Sequence, residues 1–208
     1  MTSPALPVLY SFRRCPYAIR SRMALHYAGI EVTVREVALG DKPADFVALS
    51  SKATVPVLQL PSGDVIDQSL AIMQWALQQN DPQGWLRLDA NDEALHWIAL
   101  NDEVFKTLLD HYKYATRHPE QPASVHRAAA TSAFIAPLNQ RLLQAPYLFG
   151  TNPSLADLAL FPFVRQFAFV DKAWFDAAPL AGVQAWLTAW LESELFAAVM
   201  LKHPTVSL

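Results

Sequence analysis

Cys15, followed directly by Pro16, is the residue of this chain best suited to covalent chemistry. Proline is tolerated in the first turn of a helix, so the pair predicts a helix that begins at Pro16 with Cys15 at its N-cap. Unpaired backbone N–H groups and the helix dipole stabilise an anion there, which lowers the pKa of a thiol. Arg13 and Arg14 add positive charge immediately before it. A lone cysteine is more often a buried apolar residue, but this context favours a reactive thiol.

Two further segments could bind an extended ligand. A proline lies at the start of a predicted strand in Thr54-Val55-Pro56-Val57. A cis bond before Pro56 would turn the backbone N–H and C=O of Val55 outward, although a trans bond is the commoner case. The second segment, Gln68-Ser69, ends a strand and begins a helix. There the serine could cap free N–H groups, or the helix end could bind a carboxylate.

The elements that must position these residues alternate in type over the first 80 residues. Alternating or continuous apolar residues predict strands at 6–12, 31–37, 55–60 and 64–67. Helical spacing predicts helices at 16–28, 43–49 and 69–79, and Gly29 is a suitable C-terminal residue for the first. The predicted order is β-α-β-α-β-β-α.

The second half of the chain has only helical patterns. Apolar residues recur at helical spacing over 92–116, 123–143, 155–170 and 183–191. A cluster of helix-breaking residues separates the halves at 80–84. We therefore expect a domain at 1–80, a linker at 81–89 and an all-helical domain at 90–208. The six histidines show no paired spacing on a helix face, so no metal site is predicted.

Composition limits the class of protein. The 208 residues are 52% hydrophobic and 17% charged, which predicts a folded core, and the net charge of −3 gives no indication of nucleic-acid or anionic-membrane binding. The first 14 residues do not resemble a signal peptide, and no apolar stretch approaches the roughly 20 residues of a membrane span. A cytoplasmic protein is expected. Because there is one cysteine, disulfide chemistry requires an external thiol.

Four motifs together resemble the glutathione S-transferase superfamily over nearly the whole chain. Residues 9–18 are similar to the start of its cysteine-type members, particularly the omega class and related bacterial proteins with Cys-Pro-Tyr-Ala. Residues 54–58 resemble the cis-proline segment, and residues 67–72 resemble the glutamate-serine motif. Residues 150–157 resemble the family's folding signature, in which Ser154 and Asp157 predict a helix capping box.

The resemblance implies a thioredoxin-like N-terminal domain, a helical C-terminal domain and a glutathione site in the cleft between them. It implies that Cys15 lies where the glutathione sulfur would lie and that the backbone of Val55 pairs with the cysteinyl residue of glutathione, with Pro56 shaping the turn. It also implies that Gln68 and Ser69 bind the γ-glutamyl end. Lys52 is the implied partner of the glycyl carboxylate, with Lys42 as a weaker candidate, and either could be an ordinary surface charge.

One position departs from the family's pattern. Many members have an acidic residue where this chain has Gln68, and glutamine lacks the countercharge for the glutathione ammonium. We therefore expect that contact to be weaker, unless a neighbouring or cross-dimer carboxylate supplies the charge.

Three functions remain open at this point. The first is glutathione-dependent thiol transfer or reduction through Cys15, acting on a small disulfide substrate. The second is conjugation of glutathione to an apolar electrophile, for which Tyr10 and Ser11 are the alternative hydroxyls. The third is a non-enzymatic, transcription-associated binding module of the same fold.

The resemblance also implies a second-substrate cleft, a co-substrate and an assembly. Phe12, Tyr114 and Arg117 are candidates for a second-substrate cleft, although they could equally be an ordinary aromatic set with solvated charges. Glutathione is the expected co-substrate, without a metal, and a homodimer is the expected assembly.

Overall fold

The computed structural model describes residues 5–38, 40, 42–87 and 90–202. Within the first 80 residues it contains a four-stranded sheet in the order β2-β1-β3-β4. β1 pairs in parallel with β2 and antiparallel with β3, which pairs antiparallel with β4. The strands are β1 (Val8–Ser11), β2 (Thr33–Glu36), β3 (Val57–Gln59) and β4 (Val65–Ile66).

Three helices complete this part of the chain. They are α1 (Pro16–Tyr27), α2 (Ala44–Leu49) and α3 (Ser69–Gln79). The predicted order β-α-β-α-β-β-α is therefore confirmed. α1 ends as predicted at Gly29, whose φ of +67° is accessible to glycine. The N–H groups of Gly29 and Ile30 donate to the carbonyls of His26 and Leu25, as in a Schellman motif.

The rest of the described chain, from residue 84 onward, has helices and no strand longer than an isolated bridge between Tyr147 and Gly150. Short π-helical segments at Leu100–Phe105 and Thr131–Ile135 interrupt two of the long helices. A 3-10 turn lies at Ala115–Arg117. The helices are α4 (Asn91–Ala99), α5 (Lys106–Lys113), α6 (Ala123–Ala130), α7 (Ala136–Leu142), α8 (Leu155–Ala168), α9 (Lys172–Ala177), α10 (Ala181–Leu191) and α11 (Glu194–Val199).

The chain divides into two compact units. Unit 1 contains the residues up to Gln83 together with those from Ser193 onward, and unit 2 is Gly84–Glu192. Helix α11 thus belongs to the unit that contains the sheet. Residues 1–4 of the expected first domain, 39 and 41, positions 88–89 of the expected linker, and residues 203–208 lie outside the described residues. In the described part of the chain, no helix is long and apolar enough to cross a membrane.

The predicted capping box fixes the start of α8 inside unit 2. The Asp157 N–H donates to Ser154 Oγ at 3.3 Å, and the Ser154 N–H donates to Asp157 Oδ2 at 3.0 Å. Asp157 Oδ1 accepts from the Leu148 N–H and from Trp186 Nε1. Asp157 Oδ2 also accepts from the Ser154 hydroxyl at 2.6 Å. Burial raises the pKa of this carboxyl, and its four hydrogen-bond donors make it a structural anchor rather than a reactive group.

Candidate functional site

Cys15 lies in the turn that joins β1 to α1. It is the N-cap residue of α1, with an extended backbone (φ −71°, ψ 123°) and Pro16 at the first helical position, as predicted. The Cys15 N–H donates to the Phe12 carbonyl at 3.0 Å, and the Cys15 carbonyl accepts from the Ile19 N–H at 2.9 Å. The half-buried thiol is therefore held at the N-terminus of a helix of 12 residues, where the backbone favours an anion.

The Val55–Pro56 segment lies beside this thiol. The peptide bond is cis, as the less common of the two alternatives proposed from the sequence. Cys15 Sγ lies 3.9 Å from the carbonyl oxygen of Val55. The structure thus brings together two of the predicted site elements, which are separated by 40 residues in sequence.

The start of α3 differs from the expected serine cap. The N-cap is the exposed Gln68, and Ser69 is the first helical residue. Among the described residues, no side chain caps this helix end. The prediction that Ser69 caps the helix is therefore wrong, because its Oγ accepts hydrogen bonds from Arg20 Nε at 3.1 Å and Arg20 Nη2 at 2.8 Å. Backbone N–H groups and a buried guanidinium consequently meet at one point.

Sequence reasoning missed Arg20. Its side chain is buried, with 1% of its surface exposed, and its guanidinium packs 5.0 Å from the ring centroid of Tyr17. Through Ser69, Arg20 connects the helix that begins at Cys15 with the N-terminus of α3. One available signal was its position among buried apolar residues of α1, directly after Ile19 and three residues before Met23.

Sequence reasoning also missed Arg22, two residues further along α1. It is 5% exposed. Its guanidinium donates to Ser11 Oγ at 2.5 Å and to the Arg13 carbonyl at 2.7 Å, and it lies 3.5 Å from the Phe12 carbonyl. Burial lowers the pKa of Arg22 to about 10, while the charges of Glu36 and Cys15 act in the opposite direction. A buried cation is therefore part of the cysteine turn.

The predicted Lys52 lies next to the start of α3 but has a partner in the protein. Its Nζ forms an ion pair with Asp67 Oδ1 at 3.3 Å, and Ser50 Oγ donates to Asp67 Oδ2 at 2.9 Å. The Ser50 hydrogen bond, followed by Lys52, lowers the pKa of Asp67. The weaker candidate, Lys42, is exposed just before α2.

The two alternative hydroxyls are engaged within the protein. Tyr10 is buried. Its hydroxyl donates to Asp45 Oδ2 at 3.4 Å and accepts from Arg35 Nη1 at 3.2 Å. Burial raises the pKa of Tyr10. Ser11 is fully buried, and its Oγ accepts the hydrogen bond from Arg22. Both hydroxyls therefore have hydrogen-bond partners within the protein.

Of the candidates for the second-substrate cleft, Phe12 lies in unit 1, whereas Tyr114 and Arg117 lie in unit 2. Phe12 is half-buried against the apolar cluster of unit 1 that includes Tyr10 and Val57. In unit 2, the exposed ring of Tyr114 is flanked by Arg117 Cζ at 4.7 Å and Lys113 Nζ at 4.9 Å. The structure thus brings Tyr114 and Arg117 together.

Three histidines of unit 2 lie close together, although their positions in the sequence show no paired spacing on a helix face. The ring centroid of His111 is 4.0 Å from that of His118 and 5.6 Å from that of His126. His126 Nε2 lies 3.1 Å from the His118 carbonyl oxygen. Among the described residues, no group of three or more histidine, cysteine or acidic side chains is arranged to hold a metal ion.

Comparisons with known proteins agree with this geometry. A family model described as the glutathione S-transferase N-terminal domain matches residues 14–79, and one described as the glutathione S-transferase C-terminal domain matches residues 122–189. The first match includes the cysteine, cis-proline and α3 segments.

Similar proteins come from animals, plants, fungi and bacteria. Glutathione S-transferase omega-1 of Sus scrofa is 24% identical over 203 residues, covering 96% of this chain and 78% of its own. A probable glutathione S-transferase of Zea mays is 30% identical over 159 residues, covering 70% and 67%.

Solved structures show the same fold. Glutathione transferase Omega 3C of Trametes versicolor has a TM-score of 0.76 at 22% identity and covers 98% of this chain and 92% of its own. A possible glutathione S-transferase of Rhodopseudomonas palustris has a TM-score of 0.80 at 19% identity, covering 96% and 100%. With both family domains matched along the sequence, this chain belongs to the glutathione S-transferase superfamily, and its single cysteine at the start of α1 is consistent with the cysteine-type members.

Proposed function

We propose that this chain is an enzyme that catalyses glutathione-dependent thiol transfer through Cys15. The observation that carries the proposal is the position of Cys15 at the N-terminus of α1, with its Sγ 3.9 Å from the Val55 carbonyl oxygen. A helix N-terminus favours the thiolate, which is the nucleophilic form. Membership of the superfamily supports glutathione as the co-substrate.

Glutathione would lie along the elements that surround this thiol. The backbone of Val55, beside Pro56, pairs with its cysteinyl residue. Ser69 and the first N–H groups of α3 receive its γ-glutamyl carboxylate, because an uncapped helix N-terminus binds anions. Gln68 accepts from its ammonium group. Lys52 binds the glycyl carboxylate, and to do so it must exchange its ion pair with Asp67.

The proposed reaction has two thiol–disulfide exchanges. The Cys15 thiolate attacks the glutathione sulfur of a mixed disulfide R–S–SG. The disulfide S–S bond of R–S–SG breaks as the Cys15–glutathione disulfide forms, and the released R–S thiolate takes up a proton as R–SH. A second glutathione, as its thiolate, attacks the glutathione sulfur bound to Cys15, releasing oxidised glutathione and regenerating the Cys15 thiolate. The sulfur of R is reduced, the second glutathione is oxidised, and both glutathione moieties leave as one molecule of oxidised glutathione.

The test is a Cys15→Ser variant assayed in parallel for reduction of a glutathionyl disulfide and for conjugation of an aromatic halide. A serine hydroxyl stays protonated and forms no disulfide, so we expect thiol transfer to be lost. Conjugation is expected to persist, because the hydroxyl can donate a hydrogen bond to the thiolate of bound glutathione. Tyr10→Phe is the matched control, and we expect it to keep the wild-type activity.

Two results would contradict the proposal. Wild-type disulfide reduction by Cys15→Ser would favour conjugation as the function. Absence of both activities in the wild type, with no retention on immobilised glutathione, would instead favour a binding module of the same fold.

We also propose a domain organisation, contacts to the second substrate and an assembly for this enzyme. We propose that the glutathione-binding domain is 1–80 and that the helical domain is 90–208. Of the candidates for the second substrate, Tyr114 and Arg117, which lie together in unit 2, are proposed to contact it, since an aromatic ring flanked by cations suits an apolar group that carries negative charge. The enzyme is proposed to work as a cytoplasmic homodimer.

A further inference from the structure

The side chain of Arg22 contacts the backbone that precedes Cys15. Its guanidinium donates to the Ser11 hydroxyl and to the Arg13 carbonyl, with a longer contact to the Phe12 carbonyl. The same Phe12 carbonyl accepts the hydrogen bond of the Cys15 N–H at 3.0 Å. Because the guanidinium contacts three consecutive residues, one of which also accepts the hydrogen bond of the cysteine amide, the shape of the cysteine turn depends on Arg22.

The opposite side of the guanidinium is fixed by α11. Arg22 Nε donates to the Val199 carbonyl at 3.0 Å, and Arg22 Nη2 lies 3.8 Å from Met200 Sδ. Val199 is the last residue of α11, and carbonyl groups in the last turn of a helix receive no hydrogen bond from within that helix. The guanidinium therefore has one defined orientation.

The charge of Arg22 is buried but not neutralised by a hydrogen-bonded carboxylate. In the described part of the chain, its hydrogen-bond acceptors are three carbonyls, a hydroxyl and a thioether, all of which are neutral. Charged groups that act on it at longer range are Glu36, Arg13 and Cys15. Coulombic interactions are mutual, so Arg22 stabilises a Cys15 thiolate as the thiolate stabilises Arg22.

The arginines next to Cys15 in sequence are less suited to this role. Arg14 is exposed, and its Cζ lies 5.8 Å from the ring centroid of Phe12, so water and salt screen its charge. The half-buried Arg13 donates its backbone N–H to Glu36 Oε1 at 2.6 Å, which brings negative charge close to it. A charge in a buried environment acts more strongly than an exposed one.

We propose that Arg22 is the positioning residue of Cys15, which holds the cysteine turn in place and supplies the buried positive charge that favours the thiolate. This inference rests on the proposed role of Cys15 as the nucleophile. It assigns to a residue inside α1 the activation that the sequence suggested for Arg13 and Arg14.

The first experiment compares Arg22→Gln with Arg14→Gln in the full chain. Each variant removes one positive charge near Cys15, one buried and one exposed. The rate of Cys15 alkylation by iodoacetamide is measured against pH, after circular dichroism has shown that each variant is folded. We expect the alkylation midpoint to rise by about one pH unit or more in Arg22→Gln and by clearly less in Arg14→Gln. A folded Arg22→Gln variant with the wild-type midpoint would overturn the inference.

A second measurement needs no variant, in case Arg22→Gln does not fold. The alkylation midpoint of the wild-type protein is determined at low salt and at high salt. Salt screens exposed charges strongly and buried ones weakly, so a midpoint that stays nearly constant is expected if Arg22 stabilises the thiolate. A large rise of the midpoint with salt would assign the effect to exposed arginines and overturn the inference.

These experiments separate the inference from the proposed function. The alkylation midpoint reports on Cys15 without glutathione or a substrate. An unchanged midpoint in Arg22→Gln removes the role of Arg22 while leaving the Cys15→Ser test in force. Disulfide reduction by Cys15→Ser, with a shifted midpoint in Arg22→Gln, removes the proposed reaction but retains the coupling of Arg22 to the thiol.

Discussion

At the N-terminus of α3, the Ser69 hydroxyl accepts two hydrogen bonds from Arg20 and keeps one proton to donate. The proposed recipient is the γ-glutamyl carboxylate of glutathione. We expect Ser69→Ala to weaken glutathione binding by about 1–3 kcal/mol, because a buried carboxylate loses its hydroxyl partner. Isothermal titration calorimetry measures the change.

A control is needed because Ser69→Ala also removes a hydrogen-bond acceptor of the buried Arg20, which is expected to lower the stability of unit 1. Ser62→Ala is suitable, since Ser62 is exposed near the β3–β4 turn and donates to Asp64. It should bind glutathione as the wild type does. Unchanged affinity in a folded Ser69→Ala variant would count against the proposed placement of the ligand.

The lowered pKa of Asp67 predicts that this carboxylate contributes to the loss of folding stability at acid pH. Hydrogen bonding by Ser50, and then the charge of Lys52, lower its pKa from the ordinary value of 3.8. A carboxyl whose pKa is lower in the folded state stabilises the fold at pH values above its unfolded pKa, and this contribution is lost as the pH falls through the folded pKa. Asp67→Asn should therefore flatten the fall of the melting temperature at acid pH.

Thermal melts from pH 6 to pH 3 test this dependence on Asp67. Asp64→Asn provides the comparison, because Asp64 is an exposed aspartate of the same unit. If the acid limb of the melting curve is the same in Asp67→Asn as in the wild type, the Ser50–Asp67–Lys52 contacts contribute no acid sensitivity.

At the residue scale, sequence reasoning identified the groups that local patterns specify. Cys15 was placed at a helix start because its neighbour is proline. Arg20 and Arg22 could not be placed in the same way, because arginine is rarely fully buried and its burial depends on a partner. Those partners, Ser69 and Val199, lie 49 and 177 residues away in sequence.

Among the helices, α10 and α7 are in close contact at Gly182. Its N–H donates to Asn139 Oδ1 at 2.9 Å, so Asn139 binds the start of α10. A Cβ atom on Gly182 would lie 2.9 Å from the Asn139 carbonyl oxygen and 3.0 Å from backbone atoms of Leu142 and Leu143. We expect Gly182→Ala to lower the free energy of unfolding by about 1–3 kcal/mol, since backbone atoms have to move.

Chemical denaturation measures this loss against a matched substitution. Gly40→Ala has open space around its Cβ and no positive φ, so it is expected to be neutral or slightly stabilising. If Gly182→Ala is as stable as Gly40→Ala, the close contact between α7 and α10 does not constrain packing.

At the element scale, the sequence predicted best where fixed local signals exist. The helix start at Pro16, the glycine after α1 and the Ser154–Asp157 capping box are examples. The two π-helical segments were not predicted, because a single added residue in a helical turn hardly changes the apolar spacing. The rings of Phe105 and Phe134, one from each segment, stack with centroids 4.3 Å apart, a tertiary contact that the spacing does not encode.

For the whole molecule, family membership is the basis for expecting a homodimer. Light scattering at micromolar concentration should therefore give twice the 23.1 kDa of the chain. A dilution series provides the control, because a concentration-dependent mass would indicate weak association. The mass of a single chain at micromolar concentration would contradict the expectation.

The grouping of chain segments was less accessible to sequence reasoning than the elements themselves. Helical patterns after residue 90 placed all later helices in one domain, yet the contacts of α11 group it with the sheet of unit 1. No helical pattern was predicted from the sequence at 194–199, so only tertiary contacts reveal the assignment. One of these contacts is the hydrogen bond from Arg22 to Val199.

This contact has a consequence for biosynthesis. Ribosomes make a chain from its N-terminus at about 5–20 residues per second, and Val199 follows Arg22 by 177 residues. On the order of ten seconds or more therefore pass between translation of the cysteine turn and translation of the residue that orients its guanidinium. Throughout that interval the nascent polypeptide carries Cys15 without the acceptor that fixes Arg22. On the proposed role of Arg22, full nucleophilicity of the thiol is thus a late property of the newly made protein, acquired only after α11 has emerged.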